Sequence, residues 1–288
     1  SDGTAGGTSI LKDIRSGSSS STPRYLTAMS SKLYFSAEDS STNGAELWVS
    51  DGTPAGTSLF MDIRSGGDGE PQYFAEAGSK LYFQANADVK GVALFVSNGT
   101  VGGTSILADS TVAANPKYMV GLQNNIYFQA NDTSEGVELF VSNGTTAGTS
   151  MLKNIRTGSG ASSFPESLTL VGDDKILFLA DDGTHGQELW CTKGTANTTT
   201  MVKDSTSGLS GSNITSITPG PVGKAYFQFQ NSMWTTLGSR DSTMQASPSA
   251  PAGSVMQYPV VYDSVAAMYF SLSNEYMEGG LGVTCDLT

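Results

Sequence analysis

The side chains able to do chemistry are few and scattered. His185 is the single histidine. It sits in the polar loop ADDGTHG (180–186) with no second histidine or cysteine beside it. That leaves no histidine-based zinc cluster and argues against a Ser-His-Asp triad. Asp181 and Asp182 in the same loop offer the hard oxygens that Ca²⁺ takes, but not the D-x-D-x-D-G spacing or the distal Glu of an EF-hand loop. No phosphate-cradling G-x-x-x-x-G-K-[ST] loop occurs. The residues therefore predict no catalytic residue, no metal ligand set and no cofactor, with Ca²⁺ the one ion such loops could hold. A glycosidase-type carboxylate pair is a matter of geometry, which spacing leaves open.

Other residues recur instead of clustering. Arg15, Arg64 and Arg156 stand in I-R-[ST]-G, and Glu38-Asp39, Asp88, Asp132 and Asp181-Asp182 stand in acidic loops. The sharp reading is an anion site; the simpler one is ion pairs between neighbouring loops. Trp48, Trp190 and Trp234, with Phe95 and Phe140, share one position, each after a Leu or Met. Recurrence there suits packing better than a sugar-stacking platform. Tyr25, Tyr73, Tyr118 and Tyr258 form a fourth series and would be the residues to watch around a central channel.

These spacings point to the elements that hold them. Charged residues make up only 15% of the chain and glycine reaches 34. Short β-branched and aromatic runs alternate with Gly/Asn/Asp/Ser clusters, which predicts an all-β protein. The turn S-D-G-T begins at Asp2 and returns at Asp51, Asn98, Asn143, Lys193 and, faintly, Leu237. KLYFSA (32–37) returns as KLYFQA (80–85), NIYFQA (125–130), KILFLA (175–180), KAYFQF (224–229) and AMYFSL (267–272). Pro23, Pro71, Pro116, Pro165 and Pro259 lead into the preceding strand. In the turn itself Asp accepts backbone N–H bonds and Gly supplies positive φ. Four short strands per repeat of ~45–50 residues make a propeller blade.

The chain opens on SDGTAGGTSILKDIRSG, the phrase that returns at 50–66 as SDGTPAGTSLFMDIRSG. SILKDI thus corresponds to the outermost strand of a blade, while the C-terminal stretch supplies three strands. The expectation is one domain over 1–288: a six-bladed β-propeller of four-stranded antiparallel blades at 23–63, 71–109, 116–155, 165–204, 213–246 and 258–285. The last blade would be closed by N-terminal residues 8–14, and pairing the ends hides two strand edges. The start inside a repeat suggests a cleaved leader or missing upstream residues. Cys191 and Cys285 then fall in blades four and six, ~20 Å or more apart and beyond disulfide reach; no bond between them is expected.

The phrase ELWVSDGTPAGTSLFMDI (46–63) resembles the ELWxxDGT-repeat family. ELFVSNGTTAGTSMLKNI (138–155) and ALFVSNGTVGGTSIL follow closely, ELWCTKGTANTTTMV loses the second Gly-Thr, and the fifth and sixth copies are degenerate. The resemblance implies repeat-built, secreted or surface proteins and no particular reaction. The related Asp-box reading, S-x-D-x-G-x-x-W, does not match the spacing here.

Sequons at Asn98, Asn131, Asn143, Asn197 and Asn213 are read as N-glycosylation sites in connecting loops. The net charge of −12 excludes a phosphate-backbone binder, and no stretch is apolar enough to span a membrane. These features favour a non-enzymatic extracellular or cell-surface glycoprotein, structural or adhesive, whose partners are other copies of itself or other surface proteins, as in a filament. The alternatives are a carbohydrate-binding propeller and, less favoured, a propeller hydrolase or lyase.

Overall fold

The computed structural model describes residues 1–39, 44–205, 208–214, 216–230 and 232–246, and four short strands at 254–256, 260–262, 265–267 and 270–272. The first sheet holds β1 (Arg24–Met29), β2 (Lys32–Glu38), β3 (Ala45–Ser50) and β4 (Ser58–Met61). The second holds β5 (Gln72–Ala77), β6 (Lys80–Asn86), β7 (Val92–Ser97) and β8 (Thr104–Ala108). The third holds β9 (Ala114–Leu122), β10 (Asn125–Asp132), β11 (Gly136–Ser142) and β12 (Thr149–Lys153). The fourth holds β13 (Glu166–Val171), β14 (Lys175–Asp181), β15 (Gln187–Thr192) and β16 (Thr200–Lys203). The fifth holds β17 (Ile217–Pro219), β18 (Ala225–Phe229), β19 (Ser232–Thr236) and β20 (Met244–Gln245). Each is a four-stranded meander in chain order. Beyond them β21 (Ser254–Met256) pairs with β24 (Phe270–Leu272), and β22 (Val260–Tyr262) with β23 (Val265–Ala267), all antiparallel.

The protein is thus all-β and built from antiparallel four-stranded sheets at the expected positions. Five such sheets are described, not six, and no sheet among the described residues is closed. Residues 8–14 form no strand among the described residues, and most of the residues expected to pair with them in a closing blade lie outside the described ones. They carry nearly the letters of β4, but a strand needs a ladder, and no described residue pairs with them. The segment is still anchored as an outer strand would be: Lys12 Nζ donates to Thr57 O at 2.6 Å, and Ile14 packs against Phe35, Ala37 and Trp48. The stretch 273–288, with Cys285, and Tyr258 lie outside the described residues.

Two compact units divide the chain, 1–133 with 141–150, and 134–140 with 151–288. In the first, Met29, Tyr34 and Leu47 pack against Leu81, Phe83 and Phe95 of the next sheet. In the second, Leu177, Leu189 and Cys191 pack against Ala225 and Phe227. Second strands are therefore buried through their middles, and β14 at every residue but Asp181. A sheet covered on both faces reads as a continuous apolar run rather than an alternating one. The recurring aromatics are core, as their position requires: Trp48, Phe95, Phe140 and Trp190 are all buried, and Trp234 is half-buried under Lys203, whose Nζ sits 4.0 Å from its ring.

Tight hairpins join first to second strands. Ser30 and Ser31 both take positive φ (50° and 64°), as do Gly78 and Ser79. That is the turn whose twist matches flanking strands.

The turn from third to fourth strand is the repeated S-D-G-T. Ser50 Oγ and Thr57 Oγ1 share a buried hydrogen bond of 2.7 Å. Thr53 donates to Asp51 Oδ1 through both N and Oγ1, and Gly56 N donates to Thr53 Oγ1. The hydroxyl pair recurs as Ser1–Thr8, Ser97–Thr104, Ser142–Thr149, Thr192–Thr199 and Thr236–Thr243, at 2.6–2.8 Å.

A tyrosine row beside a polar cleft

The first strand of each of the first four sheets is bent at one place. Its ladder shifts register between Arg24 and Thr27, between Gln72 and Ala75, and between Glu166 and Thr169; β9 breaks in the same way against β10. The residues at the break are Tyr25, Tyr73, Tyr118 and Ser167, all with φ between 53° and 57°. This is a bulge that re-aims one side chain. The residues before Pro23, Pro71, Pro116 and Pro165 are left-handed too: Thr22, Glu70, Asn115 and Phe164. Non-glycine residues in that region cost of order 1–3 kcal/mol each, and such strain gathers at functional places.

The bulges bring three distant tyrosines together in the first unit. The Tyr25 and Tyr73 rings lie 6.2 Å apart at 38°, and Tyr73 and Tyr118 5.7 Å apart edge-on at 62°. Tyr25 is 43% exposed and Tyr118 38%, so the row is a surface feature, not core. At the foot of Tyr25 opens a cleft of about 150 Å³ between the first sheet and the connection to the second, lined by Arg24, Ser36, Glu38, Asp68, Glu70 and Gln72 among others. Tyr25 OH reaches Gln72 Oε1 at 3.4 Å. In the fourth sheet the equivalent position is Ser167, which interrupts the aromatic series.

The arginine series forms ion pairs. Arg15 meets Glu38 at 2.7 Å, Arg64 meets Asp88 at 3.4 Å, and Arg156 meets Asp181 at 2.7 Å. Each ties an arginine in a connection to the end of a second strand, at Glu38 and Asp181, or to the loop after it, at Asp88, which is the simpler, ion-pair reading. His185 Nδ1 bonds Asp182 Oδ2 at 2.7 Å, which holds the imidazolium above its usual pKa. Among the described residues no three His, Cys, Asp or Glu converge as a metal site.

Sequence reasoning missed the glutamate of E-L-W. Glu46 is buried and accepts Ile63 N at 2.6 Å and Gly69 N at 2.7 Å. Glu138 accepts Ile155 N, Arg156 N, Ser163 N and Ser163 Oγ; Glu188 accepts Ser205 N. Each staples the long connection that leads to the next sheet. Burial outweighs these donors and raises the Glu46 carboxyl to about 7, with Glu138 and Glu188 raised for the same reason. The second sheet has buried Ala93 there, and its short connection is held by Asp109 through Thr111 N and Oγ1. A charged letter fixed inside an apolar strand was the available signal.

Of the sequons, Asn98, Asn143, Asn197 and Asn213 are exposed in connections. Asn131 is not in a loop: it lies half-buried within β10, in register with Ala114, because the ladder runs on to Asp132. Cys191 is buried, and burial pushes its thiol up to about 11.

No family model matches the chain, and no curated protein does. Solved structures do. The chain is similar to a prolyl endopeptidase (TM-score 0.59, 10% identity, 87% of this chain and 40% of that one). It is similar to puromycin hydrolase (TM-score 0.55, 13% identity, 89% and 44%) and to virginiamycin B lyase from Staphylococcus aureus (TM-score 0.52, 15% identity, 88% and 78%). It spans less than half the length of the first two. At such identities the likeness is one of fold, and that fold is propeller-like. Among the described residues no helix is long and apolar enough to cross a membrane.

Proposed function

We propose that this chain is a non-enzymatic structural or adhesive module of the ELWxxDGT-repeat type. It works outside the cell or at its surface, carries N-glycans on its turns, and joins copies of itself or other surface proteins. The carrying observation is the turn built six times on one hydroxyl pair, whose exposed second residue is Asp2 or Asp51 in two copies and Asn98 or Asn143 in two others. A position that exchanges Asp for Asn without changing the turn can present a glycan acceptor at no cost to the fold. The finer fold belongs to the same proposal: one domain of six blades in a closed ring, with residues 8–14 alongside the strand that ends at Cys285. Lys12 supports it, because it grips Thr57 O as Lys153 grips Thr199 O from the outer strand β12.

The test is secretion from a eukaryotic host, mass spectrometry of the Asn98 and Asn143 peptides, and native mass of the product. Glycans on both peptides and a mass above the monomer are expected. A glycan-free, strictly monomeric product would overturn the reading.

A further inference from the structure

We propose that the cleft at the foot of Tyr25 receives an arginine side chain from an extended segment of a partner protein, with the tyrosine row as the shelf along which that segment lies. The inference rests on the adhesive reading for the existence of a protein partner, and it names where and how that partner is held.

Charge comes first. Three carboxylates line the cleft, Glu38, Asp68 and Glu70. Glu38 is already met by Arg15 at 2.7 Å and by Thr22 Oγ1 at 3.1 Å. Asp68 uses one oxygen on Ala45 N. Glu70 is exposed, and no described residue hydrogen-bonds or ion-pairs with its carboxylate. Arg24 is the cation facing them, in no ion pair among the described residues. Asp68 and Glu70 against Arg24 leave the cleft one negative charge in excess, on a chain of net charge −12, so the complementary ligand is a cation.

Size and shape select the kind of cation. A cavity of about 150 Å³ is enough for a flat group the size of benzene. A guanidinium is flat, pairs with carboxylates through two parallel bonds, and stacks on aromatic faces. Tyr25 forms one wall of the cleft and is also the first ring of the row, so one arginine can meet both.

The backbone decides how the rest of the segment binds. β1, β5 and β9 each form one edge of their sheet, and an edge ordinarily invites an added strand. Here the left-handed residue at Tyr25, Tyr73 and Tyr118 breaks the row of free N–H and C=O groups. A partner is therefore read through side chains. An extended polyproline-type chain, which needs no backbone partner and docks on aromatic-lined surfaces, fits that requirement.

The experiment titrates the full chain into a fluorescein-labelled Pro-Arg repeat peptide and follows anisotropy. The control is the same peptide with citrulline, which keeps the shape and removes the charge. Expected are saturable, salt-sensitive binding of the arginine peptide and binding at least ~10-fold weaker for citrulline, a factor of about 1.4 kcal/mol. Tyr73→Ala and Glu70→Gln each weaken it, whereas Arg24→Gln tightens it by removing the competing cation. The last change is a gain, which misfolding cannot mimic. Equal binding of the citrulline peptide, an indifferent Glu70→Gln, or loss of binding in Arg24→Gln would each overturn the proposal, the last marking an anion site. So would a carbohydrate that binds at Tyr73 when the peptide does not. If the peptide fails while the secreted protein is glycosylated and assembled, only the docking site falls. If the peptide binds a glycan-free monomer, the adhesive reading falls and the site stands.

Discussion

The turn between third and fourth strands is built in two versions. In the first three sheets Asp51, Asn98 or Asn143 accepts both the N–H and the hydroxyl of the Thr two residues on. In the fourth and fifth sheets that residue is Lys193 or Leu237, which can accept nothing. The acceptor instead comes from the far end of the turn: Thr198 Oγ1 takes Lys193 N and Thr195 N, and Ser242 Oγ takes Leu237 N and Ser239 N. The two solutions exclude each other in space. Thr198 and Ser242 occupy the position of Gly56, Gly103 and Gly148, where a Cβ would come within 2.0–2.1 Å of the Asp or Asn Oδ1. An acceptor at the second position thus demands Gly at the seventh, and a hydroxyl at the seventh frees the second. What looks like decay of the repeat in these two sheets is a coupled exchange that preserves the turn.

The largest effect should come from breaking what both versions share. Thr104 and Thr199 are buried, and each bonds its partner hydroxyl and a Thr carbonyl. Val keeps the shape and drops the hydroxyl, which is not a neutral exchange. Thr104→Val and Thr199→Val should each cost about 2 kcal/mol in urea unfolding, since a buried group loses its partner. If one version tolerates the change and the other does not, the hydroxyl pair is not the common support.

The next effect tests the exchange itself. Gly103→Ala forces Asn98 aside, so its bonds to Thr100 are lost; a cost of about 1 kcal/mol follows. Gly103→Thr adds the same Cβ but brings the hydroxyl that serves the fourth sheet, so it should cost less than Ala. Adding Asn98→Lys to Gly103→Thr should then change little, because that pair is already native at Lys193 and Thr198. A Thr variant as damaging as the Ala variant would end the coupling argument.

Sequence carried the repeat well because its landmarks are local. KLYFSA and its copies mark second strands, and β2, β6, β10, β14 and β18 lie where those copies fall. What it missed is not local. The partners of Glu46 and Glu138 stand 17–25 residues away, so E-L-W read as a label and not as a buried staple. The tyrosine series was visible by alignment, but its surface row depends on a left-handed bulge that Tyr does not announce. Residues 8–14 mark the limit of letters in another way. Their letters nearly match β4, yet a strand is a relation to a neighbour, and letters alone do not supply the neighbour. Asn131 went wrong by two residues of ladder, and Thr198 and Ser242 because one missing letter conceals its replacement five residues on.

The smallest effect separates the versions by pH. Bonds from Thr53 Oγ1 and N hold the Asp51 carboxyl below its usual pKa, and Asp2 is lowered by Thr4 in the same way. A carboxyl lowered by folding lends stability that is present above its unfolded pKa of about 3.9 and is lost as pH falls through the folded value. The turn at Asp51 should therefore loosen in acid, while the turns at Asn98 and Thr198, which hold no titrating acceptor, should not. Hydrogen exchange of the Gly56, Gly103 and Thr198 amides, corrected for intrinsic rates, reads this directly. Asn98→Asp should leave exchange at neutral pH unchanged, because Oδ1 keeps both bonds, and should confer the acid sensitivity of the Asp51 turn on its neighbour. Equal acid response at Gly56 and Gly103 in the native chain would mean that loosening begins elsewhere. The buried glutamates would not be its source, because their sign is opposite: a Glu46 carboxyl raised to about 7 lends stability below its unfolded pKa and loses it as pH rises through neutrality.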